Sequence, residues 1–63
     1  MEMLIKIDMD NADFQDFGQN KTVIACLESL ITKVSNGEIS DIGDKVFVRD
    51  FNGNKVLTAE IKE

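Results

Sequence analysis

Only one stretch of this chain carries apolar residues at helical spacing, and on both sides of it the hydrophobic period falls to two. Val23, Ile24, Leu27, Leu30, Ile31 and Val34 lie within a sector of about 120° if each residue turns 100°. Lys21, Ala25, Glu28, Ser29, Thr32 and Lys33 take the remaining circumference. The spacing predicts one amphipathic helix over residues 21–35. Asn20 is the expected N-cap, because its side chain can accept from the amides of the first turn. Asn36-Gly37 is the expected stop, with Gly37 supplying the left-handed conformation that closes a helix and Lys33 favourable beside the last carbonyls.

Before the helix, Met3, Ile5, Ile7 and Met9 alternate with Glu2, Lys6, Asp8 and Asp10, with Leu4 the apolar exception on the polar side. That is the pattern of a half-buried strand. Residues 10–20 are rich in turn formers and read as a connection. Residues 38–44 read as an acidic connector, with Ile39 and Ile42 pinning it to the core. After it, Lys45–Phe51 and Lys55–Ile61 are two β-prone runs separated by Asn52, Gly53 and Asn54. An Asn-Gly pair in that position signals a hairpin, because its central residues need positive φ. A two-residue turn sets Val48 against Leu57, Val46 against Ala59 and Lys45 against Glu60. A bulged three-residue loop would bring Phe47 to the core side instead.

The predicted order is β-α-β-β, an α+β fold with one helix on a three-stranded, mainly antiparallel sheet. A right-handed crossover that inserts the third strand between the other two favours order 1-3-2. Order 1-2-3 is the alternative. At 63 residues the whole chain, 1–63, is one domain, able to bury only about 60% of its extended surface. One helix covers one face of such a sheet, so Leu4, Phe47 and Val56 are expected to form an apolar interface on the other.

Seven basic residues against twelve acidic ones give a net charge of −5. Such a chain repels phosphate backbones and anionic membranes, so neither direct nucleic-acid binding nor membrane attachment is expected. An acidic protein can instead occupy a basic groove on a partner, and Asp8, Asp10, Asp13 and Asp16 are the candidate contacts. The same cluster invites a calcium reading, which fails on position. A loop counted from Asp8 has Asp13 where Gly is needed and Gln19 where Glu is needed. Counted from Asp50, those places hold Lys55 and Ile61. No metal or cofactor is expected.

The chain has no histidine and one cysteine, Cys26, at the edge of the helical stripe. Without a base to make its thiolate, Cys26 reads as a small hydrophobe rather than a nucleophile. Gly18, Gly37, Gly43 and Gly53 are isolated, so no phosphate-cradling loop is formed. No catalytic residue and no small-molecule substrate are expected, and with no apolar run near 20 residues and no signal peptide the expected location is cytoplasmic.

Asp10, Asn11, Ala12, Asp13 and Phe14, taken with Asp50, Phe51, Asn52, Gly53, Asn54, Lys55 and Val56, resemble a recurring group of small proteins encoded by bacteriophages and prophages. Those open with a strand ending in Asp-Asn-Ala-x-Phe and close with Asp-x-Asn-Gly-Asn before a last strand. The resemblance covers most of the chain and implies an accessory product working in a bacterial cytoplasm, with no catalytic or binding residue carried over. The expected function is non-enzymatic protein binding, in one version as an acidic inhibitor of a host nucleic-acid-binding defence complex. The alternative is a homodimeric structural or regulatory module.

Overall fold

A computed structural model describes residues 1–10, 12–50 and 52–63, with Ala12 and Asp13 by backbone alone. The elements are β1 (Glu2–Ile7), α1 (Ala12–Asp16), α2 (Gln19–Ser35), β2 (Lys45–Arg49) and β3 (Lys55–Lys62). Both strand pairs are antiparallel and the order is β1-β3-β2, so the sheet takes the 1-3-2 arrangement. β3 earns the central place by composition. Val56, Leu57, Ala59 and Ile61 are all buried, and a central strand is the one flanked on both sides.

The hairpin pairs Val48 with Leu57, Val46 with Ala59 and Lys45 with Glu60, the register expected of a two-residue turn. The turn itself is different. Gly53 N–H donates to the Asp50 carbonyl at 3.1 Å and Asp50 N–H to the Asn54 carbonyl at 2.9 Å, which leaves three residues in the loop. Gly53 has φ 85°, while among the described residues no non-glycine has positive φ, so Asn52 does not. A three-residue loop alone would reverse the faces of β2. The register shift beyond Val48, where Arg49 pairs with Lys55, adds one extra residue on β3 and restores them. That extra residue is Val56.

The consequence is a correction to the expected interface. At the bulge Val56 and Leu57 both turn inward, and Val56 is only 2% exposed, so it belongs to the core and not to the outer face. Leu4 and Phe47 are on the outer face as expected, but Thr58 and Glu60 of β3 stand between them. Glu2, Lys6, Lys45, Arg49 and Lys62 share that face by alternation. It is a charged surface with two apolar residues, not an apolar patch.

Residues 10–20 also depart from expectation. Residues 12–16 form the short helix α1, and Phe14 within it is buried in the core. One and a half turns are too short to display a period, so the pattern gave no sign of it. α2 begins two residues before the expected start. Its N-cap is Gly18 at φ 90°, with no side-chain cap bond, in place of Asn20. The Gly18 carbonyl accepts from both Thr22 N–H at 3.1 Å and Thr22 Oγ1 at 3.0 Å. A glycine is needed there because the chain reverses between two helices through a φ that L-residues avoid.

The other end of α2 is as expected. Gly37, at φ 75°, donates to the Val34 carbonyl at 3.0 Å, and Glu38 N–H donates to the Lys33 carbonyl at 3.0 Å, the paired closure of a Schellman motif. Beyond it Ile39 is buried, while Ile42 is exposed. The connector is tied instead by Asp44, whose Oδ2 accepts N–H bonds from Ser40 and Asp41 at 2.9 Å each.

Candidate binding surface

α2 packs over β2 and β3. Cys26 and Leu30 are buried against them, with Val23 packed beside the core. On one side of this line Thr22, Ala25 and Ser29 border, with Val48, Arg49 and Asp50, an open groove of about 520 Å³ between α2 and β2. The other side of the helix therefore looks away from β2, toward β1. It carries Ile24, Leu27, Ile31 and Val34, all exposed, with Ile24 at 56% and Ile31 at 64%. The predicted stripe thus divides: Leu30 and Val23 go into the core, and four of its six members do not.

Beneath that flank lies the uncovered part of the sheet. Met3 pairs with Ile61 and Ile5 with Ala59, so both point to the helix face of the sheet, and both are exposed. The helix flank and the helix face of β1 together expose six apolar residues. Composition and period had identified all six as apolar-face residues. What they could not give is where a helix narrower than three strands would sit on the sheet.

The groove on the opposite side of α2 has little chemistry to offer. Cys26 forms part of its lining, and burial, with a smaller effect from the Asp50 charge, pushes its thiol pKa up. A neutral buried thiol is a packing group. Arg49 and Asp50 at the rim serve the hairpin loop. Arg49 Nη1 donates to the Gly53 carbonyl at 2.8 Å, and Asp50 Oδ1 accepts N–H bonds from Asn52 at 2.9 Å and Asn54 at 2.8 Å.

The candidate acidic contacts sit in the connection between β1 and α2. Asp8, Asp10 and Asp16 are exposed, while the side chain of Asp13 lies outside the described residues. Asp8 has a local duty, its Oδ1 accepting Asp10 N–H at 3.0 Å. Among the described residues no three acidic or thiol groups converge as a ligand set. Leu4 is exposed, and Phe47, 39% exposed, is capped by Lys55 Nζ at 4.0 Å from its ring centroid. Among the described residues no helix is long and apolar enough to cross a membrane.

Compared with protein-family models, with curated proteins and with solved structures, the chain matches none of them.

Proposed function

We propose that this chain is a non-enzymatic accessory protein, of the phage or prophage kind its motifs resemble, that acts in the bacterial cytoplasm by binding another protein. The observation that carries the reading is the exposure of six apolar side chains on the α2 flank and on the helix face of β1. A 63-residue domain has little apolar material to spare, and leaving six such side chains partly in water forgoes a share of the roughly 1.5–3 kcal/mol that full burial of each contributes. Contiguous exposed apolar surface on a small protein is characteristic of contact with another protein.

The test is a paired capture from bacterial lysate with the unaltered chain and an Ile24→Lys/Ile31→Lys variant. The variant is expected to fold and to lose the captured protein. Equal capture by both overturns this surface as the binding site. A second version, the acidic inhibitor of a nucleic-acid-binding defence complex, is favoured by the exposure of Asp8, Asp10 and Asp16 in the connection between β1 and α2. It requires capture that weakens with salt and fails when Asp8, Asp10, Asp13 and Asp16 are all replaced by Asn. Salt-insensitive capture that survives those replacements returns the role to the apolar surface.

A further inference from the structure

We infer that β1 pairs with β1 of a second copy of this chain, antiparallel about Leu4, joining two sheets into one of six strands. The inference rests on the reading that the β1 side of the molecule binds protein, and it names the partner. β1 is an outer strand of the described sheet. Asp8 N–H donates to the Val56 carbonyl at 2.7 Å, so by alternation the even residues of β1 turn their backbone groups to β3. The amides and carbonyls of Met3, Ile5 and Ile7 then face outward along the open edge. An open edge of this kind is a template for another strand.

The side chains choose the partner and the register. Antiparallel pairing about Leu4 sets Met3 and Ile5 of one copy against Ile5 and Met3 of the other, the positions whose backbone groups face outward. On the outer face it sets Glu2 against Lys6 of the second copy, twice, and Leu4 against its own mate. On the helix face, Met3 and Ile5 from both copies form one apolar floor, with the two α2 flanks on the same side of the sheet. Moving the register by one hydrogen-bonded step toward Lys6 sets Glu2 against Asp8, two like charges. The opposite edge lacks this self-complementarity. Pairing β2 with itself about Phe47 sets Lys45 against Arg49 at both ends, an arrangement that like-charge repulsion disfavours.

Sedimentation equilibrium on the full chain between 10 and 200 µM (on the order of the range where modest interfaces assemble) reads the outcome. The expected mass is twice the 7.1 kDa of one chain. Lys6→Glu, at an exposed position, is expected to raise the dimer dissociation constant about tenfold or more, since two opposite-charge pairs become like-charge pairs. The charge-reversed Glu2→Lys/Lys6→Glu variant is expected to restore it. For register, Leu4→Cys should give a disulfide-linked dimer on mild oxidation, because directly opposed residues at such a pair stand about 4.5 Å apart at Cα. Lys45→Cys on the other edge should not. A 7.1 kDa monomer at the top of the range overturns the dimer, and so does a dimer indifferent to Lys6→Glu and uncrosslinked by Leu4→Cys. If the chain is monomeric and the Ile24→Lys/Ile31→Lys variant still loses its captured protein, the dimer alone has failed and the protein-binding reading stands.

Discussion

Gly53 stands at φ 85° with nothing within 4 Å of where a Cβ would be. A side chain there meets no neighbour, so the cost of replacement is conformational. Gly53→Val is expected to destabilise the domain by more than ~1 kcal/mol, since a β-branched residue resists positive φ. Urea unfolding checks it, and an unchanged midpoint would mean that the loop rearranges freely. Positions such as Gly53 and Gly37 were legible in the sequence because local chemistry decides them: one residue type tolerates the backbone, and the chain turns there. Val56 and Phe14 were not legible for the opposite reason. The inward turn of Val56 follows from a bulge that balances a loop of odd length three residues away. Phe14 is placed by the core it fills and not by its neighbours, which are turn formers.

α2 shows the same division at the level of an element. Its existence, its approximate length and its closing glycine follow from spacing and capping. Which part of its apolar arc enters the core depends on the helix lying over β2 and β3 rather than over β1. Leu30 and Ile31 are adjacent in sequence and equally apolar, yet Leu30 is 5% exposed against 64% for Ile31. Leu30→Ala is expected to cost about 2–5 kcal/mol, through lost burial and the cavity left behind. Ile31→Lys should change the stability of the isolated chain by less than about 0.5 kcal/mol. Chemical denaturation of the two variants at low protein concentration checks the contrast. Similar large losses for both would place Ile31 in the core and remove it from the binding surface. The hairpin teaches a related point: the register of Val46 and Val48 matched a two-residue turn that is not present, because two irregularities compensate.

Across the whole molecule, the acidic excess is partly structural. The backbone amides of Asp41 and Ser40 hold the Asp44 carboxyl below its ordinary value of 3.8. At Asp50 desolvation pushes upward, but hydrogen bonds from the Asn54 backbone and side chain and from Asn52 outweigh it, and its pKa is also lowered. Both groups thus favour ionisation in the folded chain. Their contribution is complete above the unfolded value and is lost as pH falls through the lower folded values. The urea midpoint is therefore expected to hold from neutrality to about pH 4 and to drop below it. An Asp44→Asn/Asp50→Asn variant should start lower and fall less, and parallel curves for the two proteins would show that other carboxylates govern the acid limb. The order β1-β3-β2 has a further consequence, for the chain during synthesis. β3 is made after both strands that it joins, so no part of the sheet can form before residues 55–62 are available. Until residues 55–62 emerge, the apolar faces of the earlier segments have only one another, or a chaperone, for cover. Sheet closure therefore waits on β3, the one strand that both of the others pair with.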